Sequence, residues 1–112
     1  MPYITDDDIK ILSEVHMGDV GTRFVTAVYN QDETVQDLSS STSLVINFLS
    51  PSRIVKSRNA TFYTNGKDGK VLYRLLEDDI DESGVWSYQI IIQFSGKKFY
   101  TNIETFTAHS NI

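Results

Sequence analysis

One stretch, residues 85–94, constrains this chain more than any other. From Trp86 every second residue is large and apolar: Trp86, Tyr88, Ile90, Ile92 and Phe94. Ser87, Gln89, Ile91 and Gln93 stand between them and are mostly polar. Period two is the pattern of a β-strand with one face on a core and the other nearer water. An acidic segment, Glu77-Asp78-Asp79-Ile80-Asp81-Glu82-Ser83-Gly84, leads straight into it.

The rest of the chain breaks into similar pieces. Residues 9–17 alternate weakly and are read as a strand, followed by a turn with two glycines, Gly18 and Gly21. Residues 22–29 are rich in β-branched and aromatic side chains. Phe24, Thr26 and Val28 fall on one face, and Val25, Ala27 and Tyr29 on the other. A short segment, 35–38, precedes a Ser/Thr loop. Residues 43–49 then align Leu44, Ile46 and Phe48, and Pro51 ends the run because proline cannot donate to a ladder. Residues 53–64 alternate irregularly, with Val55, Ala60 and Phe62 expected to point inward. Asn65-Gly66 and Asp68-Gly69 mark a hairpin leading into residues 70–76. After the long strand, Ser95-Gly96 turns the chain into residues 97–108. A bulge is expected there near Glu104, where the apolar phase shifts from Phe99 and Ile103 to Phe106.

About seven short strands with turn chemistry between them, and no helix, predict an all-β fold. The expected architecture is an antiparallel Ig-like β-sandwich with Greek-key connections, a small closed barrel being the alternative. Residues 1–112 read as one domain, with 1–8 an exposed lead-in and 109–112 a tail. A chain of this size buries roughly two-thirds of its unfolded surface, so it folds without staples. The absence of cysteine is consistent with that. The first eight residues carry three consecutive Asp and no apolar run, unlike a signal peptide or lipidation site. No stretch approaches the roughly 18 apolar residues of a membrane span.

Charge excludes further classes. Ten basic against 15 acidic residues give a formal charge of −5, which disfavours nucleic-acid and anionic-membrane binding. Catalysis needs a nucleophile, a base and an orienting group that converge. The two histidines, His16 and His109, lie far apart in sequence and in no ligand spacing. Ser83-Gly84 is not a nucleophile elbow. The 18–21 turn has no Gly-Lys-Ser/Thr and opens no helix, so it is not a phosphate loop. No catalytic, cofactor-binding or metal-ligating residue is assigned, and the expectation is a non-enzymatic protein that needs no cofactor. Asn59-Ala60-Thr61 matches a glycosylation sequon and is read as chance.

The acidic turn has two readings. Glu82-Ser83-Gly84-Val85-Trp86 follows the logic of the acid-x-Gly-x-Tyr corner of Ig-like domains. In it Trp86 stands for the tyrosine and Tyr88 for a disulfide cysteine, and Gly84 supplies a backbone conformation other residues resist. The other reading is a calcium loop beginning at Asp79, with Asp81 and Ser83 at its third and fifth positions and Gly84 at its sixth. Its twelfth position is Ile90 rather than Glu, so the corner is preferred. Two further patterns bear on binding. Tyr3, Tyr29, Tyr63, Tyr73 and Tyr100 are candidates for a carbohydrate-stacking platform. Charge is segregated: Glu77, Asp78, Asp79, Asp81 and Glu82 in one turn, Arg53, Lys56 and Arg58 in another segment, and Lys97 and Lys98 in a third. Such segregation marks either contacts between neighbours or blunted sheet edges.

The order of motifs adds a resemblance. They run Gly18-Asp19-Val20-Gly21-Thr22-x-Phe24, Val35-x-Asp37-Leu38-Ser39, Leu44-Val45-Ile46-x-Phe48, Gly69-Lys70-Val71-x-Tyr73, Asp79-Ile80-Asp81-x-x-Gly84-x-Trp86-x-x-Gln89 and Phe106-Thr107. The series, spanning about residues 17–107, resembles the small β-sandwich domain of tailed-bacteriophage structural proteins. The likeness is to the N-terminal domain of baseplate upper proteins, which anchor receptor-binding proteins to a tail. It implies a non-enzymatic virion component, made in the host cytoplasm and present in many copies in a symmetric assembly. Its partners would be capsid, neck, tail or baseplate proteins, with no nucleic acid and no membrane. A homo-oligomer in the particle, trimer or hexamer, is compatible with this. The family domain is followed by a long helical and fibrous region that these 112 residues do not contain. That widens the implied role to capsid decoration, neck or tail accessory, or adaptor. The alternative is a carbohydrate-binding or host-receptor adaptor module.

Overall fold

The computed structural model describes residues 10–11 and 15–111 of the chain. The expected lead-in, 1–8, lies outside them. Within them are nine strand segments and no helix: β1 (Lys10–Ile11), β2 (Arg23–Ala27), β3 (Ser43–Leu49), β4 (Val55–Asn59), β5 (Thr61–Phe62), β6 (Lys70–Arg74), β7 (Gly84–Phe94), β8 (Lys97–Tyr100) and β9 (Glu104–Ala108). All strand pairings are antiparallel. One sheet runs β1-β2-β6-β5, and the other runs β4-β3-β7-β8 with β9 also on β7. The chain crosses between sheets so that β6 returns beside β2 and β7 beside β3, the expected Greek-key wiring. With β8 and β9 sharing one position, this is the ABED and C′CFG order of Ig-like sandwiches.

The period-two strand is the longest element and the centre of the five-stranded sheet. β3 pairs with it from Ser43–Gln93 to Leu49–Ser87, and β8 and β9 occupy its other side end to end. Trp86, Tyr88, Ile90 and Ile92 are fully buried, and Phe94 packs half-buried at the core margin. Facing them from the other sheet are Phe24 and Val28 of the β2 run, and Val71, Tyr73 and Leu75 of the β6 run. The rings meet largely edge to face, Phe24 against Tyr88 at 4.8 Å and against Phe48 at 5.8 Å. Such pairs add to the roughly 1.5–3 kcal/mol that burying each large apolar side chain contributes.

Two expected strands are each divided. Residues 53–64 form β4 in one sheet and β5 in the other, and the chain changes sheet at Ala60, whose N–H donates to the Leu44 carbonyl (2.9 Å). Residues 97–108 break between β8 and β9, immediately before Glu104 as the apolar phase predicted. Thr101 bridges the break: its N–H donates to the Ile90 carbonyl, and its hydroxyl accepts the Ile90 N–H, both at 3.0 Å.

Two expectations need correction, for Val55 and for His109. Val55 does not point inward: it pairs with outward-facing Leu49 and is 61% exposed. On an edge strand, register with the neighbour sets the facing, and one apolar residue cannot override it. The short segment 35–38 lies in no strand. Val35 makes one bridge to Tyr29, and Leu38 plugs the core from a loop. That loop presses on the Asn65–Gly69 turn so closely that a Cβ at Gly69 (φ +69°) would lie 2.9 Å from two carbonyl oxygens. Nor is His109 part of a tail. It bridges in parallel to His16, and Met17 N–H donates to its carbonyl at 2.8 Å. Of the expected first strand, Lys10–Ile11 pairs with β2, and residues 12–14 lie outside those described.

Candidate functional site

The acidic turn and the basic segment, separate in sequence, meet in space. β4 runs past the 77–82 turn, and its two inward-leaning cations clamp it. Arg58 Nε lies 2.8 Å from Asp79 Oδ1, and Lys56 Nζ 3.0 Å from Asp81 Oδ2. Lys56 also donates to the carbonyl of Asp78 (2.6 Å), and its ammonium sits 5.6 Å from the centroid of the Trp86 ring. Asp79 is buried. Its other oxygen accepts the Tyr73 hydroxyl and the Leu76 N–H. Burial, and then the Asp79 carboxylate beside it, push the Tyr73 phenol well above its ordinary range. The hydrogen bond to Asp79 in turn raises the Arg58 guanidinium.

This clamp decides between the readings of the turn. The Trp86 indole donates to the Glu82 carbonyl four residues back (3.1 Å), the bond that the corner tyrosine makes in Ig-like domains. Gly84 holds φ +125° with Pro51 Cγ 3.0 Å from where its Cβ would stand. Asp79 and Asp81 are each turned to a cation, and among the described residues no group of three or more His, Asp or Glu is placed to hold a metal ion. The candidate calcium loop is therefore not assembled. The charge segregation of Arg53, Lys56 and Arg58 against the acidic turn is in large part answered within the chain. Lys97 and Lys98 stand exposed on β8, an edge strand, where lysine discourages pairing with another sheet.

The histidines do come together. Their ring centroids are 5.4 Å apart where the ends of the fold close on each other. Asp19 caps that turn by accepting the His16 backbone N–H (2.8 Å), a structural role. The tyrosines do not form one platform. Tyr73 is buried in the clamp, Tyr63 follows β5 on one sheet, and Tyr100 ends β8 on the other. Tyr29 is half-buried in its bridge to Val35, and Tyr3 lies outside the described residues.

What the fold does create is a broad uncharged surface. Register places Val45, Asn47 and Leu49 of β3, Val55, Ser57 and Asn59 of β4, and Val85, Ser87, Gln89, Ile91 and Gln93 of β7 on the outer face of the five-stranded sheet. Lys98 and Tyr100 of β8 and Thr105 and Thr107 of β9 complete it. Lys98 is the one charged side chain among these paired positions, in a chain with 25 charged residues. A shallow cleft of about 180 Å³ opens at its centre between Asn47, Leu49, Val55, Ser87, Gln89 and Ile103. Ile103 is 64% exposed, and Val85 and Tyr100 are exposed as well. The sequence carried one trace of this surface: the outward set of β7 is Ser, Gln and Ile rather than Lys and Glu. No known protein family matches the chain, and no curated protein is similar to it.

Proposed function

We propose that this chain is a non-enzymatic structural module of a phage-type virion, a β-sandwich that docks a neighbouring virion protein through the outer face of its five-stranded sheet. Two things support the reading: the ordered motif series, and above all the uncharged face. Solvated sheet faces ordinarily carry alternating charge, and clearing charge from the middle of a surface is the compositional mark of an interface core. The strands at the sheet's four positions are 4 to 11 residues long, and at roughly 3.3 Å per residue and about 4.8 Å per strand they give a face of about 500 Å². A standard interface covers about 800 Å² per partner. Docking would proceed by shape and apolar burial, with Asn47, Ser57 and Gln89 held in place by their own hydrogen bonds.

The test is the composition of particles purified from cells that make the chain. Peptide mass spectrometry should find it in stoichiometric amounts; its absence from the particles overturns the reading. Ile103→Arg and Val85→Arg alter exposed side chains and should fold normally. Each should nonetheless be lost from particles, and incorporation at wild-type level would remove this face from the role. Light scattering across a concentration range then separates the possible roles. A cyclic oligomer points to a self-sufficient decoration or spike, and a monomer to an adaptor that orders only on a capsid or tail lattice.

A further inference from the structure

The opposite surface has the reverse chemistry. On the outer face of the four-stranded sheet, register sets Arg23 directly across from Arg74, Val25 across from Leu72, and Ala27 across from Lys70. Like charges directly opposite on adjacent strands destabilise a sheet. The Tyr63 ring lies over the same face, with Arg23 Cζ 5.9 Å and Lys70 Nζ 5.7 Å from its centroid. Among the described residues, Arg23, Lys70 and Arg74 have no carboxylate within ion-pair distance, whereas Lys56 and Arg58 each have one. Asp68, which accepts the Lys70 backbone N–H at 3.0 Å, answers part of the Lys70 charge. The register thus sets two arginines opposite each other at this end of the β2–β6 ladder.

A cleft of about 240 Å³ adjoins this pair, lined by Asn59, Thr61, Leu72, Tyr73, Arg74 and Leu76. It exists because β5 is only two residues long. β5 covers Val71 and Leu72 of β6, and the chain leaves for the other sheet at Ala60, so the Arg74 end of β6 is left as an open edge. Leu76, exposed at the far wall, gives the cleft an apolar side.

We propose that this face binds an acidic peptide segment of a partner protein. Its carboxylates meet the Arg23–Arg74 pair, and an apolar side chain beside them enters the Leu72–Leu76 cleft. Charge complementarity selects the occupant: two arginines set opposite each other by the register each offer a guanidinium that can take a carboxylate in bidentate geometry, and a bound anion offsets their like charge. The apolar wall selects a peptide over nucleic acid, which an overall charge of −5 also disfavours. The site centres on the four-stranded sheet, reaches the other sheet only at Asn59, and does not depend on the virion-docking role.

The probe is a fluorescein-labelled peptide of Asp and Glu with one central Leu, followed by anisotropy against the full chain. Saturable binding is expected at low salt, weakened about tenfold or more when salt is raised well above physiological strength. Arg23→Gln with Arg74→Gln should also cost about tenfold or more, because both charge and bidentate geometry are lost. Lys97→Gln with Lys98→Gln, on the other sheet, should leave binding unchanged. Replacing the peptide Leu with Ser should weaken it measurably. No saturable binding, equal loss in both double variants, or an oligonucleotide of equal charge binding as tightly would each overturn the proposal. So would indifference to the Leu→Ser change. A thermal melt of the arginine double variant at or above wild type verifies that lost binding is not lost folding, since removing the like-charge pair relieves strain.

Discussion

The two sheets share one core and differ in what they show outside it. The five-stranded sheet presents Asn, Ser, Gln, Val and Ile with Lys98 at one end. The four-stranded sheet presents Arg23, Lys70 and Arg74 around Tyr63. Neither difference is required by the fold. Both sheets are antiparallel and both send apolar side chains into one core, although on β2 the outward Val25 and Ala27 are buried as well. Stability resides mainly in the inner positions, and the exposed outer ones carry chemistry that the core does not require. The two docking roles proposed above rest on this divergence.

The comparison can be broken at the shared layer. Trp86 is fully buried and stacks on Phe106. Trp86→Ala should cost roughly 3–5 kcal/mol in urea denaturation, and both faces should lose their binding together. A loss below about 1 kcal/mol would contradict a common core beneath the two faces. Next comes the clamp, in which Arg58 of one sheet and Tyr73 of the other share Asp79. Asp79→Ala should cost about 2–4 kcal/mol, mainly from the stranded Tyr73 hydroxyl and Leu76 N–H, because Arg58 remains partly solvated.

The same clamp predicts a pH dependence. The folded state raises the Tyr73 pKa above its ordinary 10.0. Above about pH 10 the unfolded chain releases that proton while the native chain keeps it. The native state then binds more protons, so this contribution, complete below pH 10, is lost as pH rises further. The stability difference between wild type and Tyr73→Phe should therefore narrow above pH 10, and a constant difference would refute the coupling. The smallest effect has the opposite sign. Thr26 is buried with its hydroxyl unpartnered among the described residues. Thr26→Val should stabilise by about 1 kcal/mol and leave the chemistry of both outer faces untouched.

Much of this architecture was legible in the chain. The alternation of Trp86 to Phe94, the hairpin at Asn65–Gly69, the stop at Pro51 and the break before Glu104 are local signals, and each survives folding because it reports backbone preference or a period of two. The corner at Gly84 was legible for the same reason. Val55 was misread because an edge strand takes its facing from its neighbour. That Leu38 would plug the core was not legible, because it reaches the core from a loop with no strand period to mark it.

The sequence by itself determined the fold class, the inner face of the central strand and the absence of cysteine chemistry, since these follow from periodicity, turn residues and composition. Tertiary structure alone decided that the acidic turn belongs to Lys56 and Arg58, that His16 and His109 adjoin, and that Arg23 and Arg74 confront each other across a ladder. It also decided that one sheet would carry almost no charge on its outer face. The physical reason is common to all four. They depend on strand register and sheet order, which join residues tens of positions apart, and no local pattern encodes which distant strand becomes the neighbour.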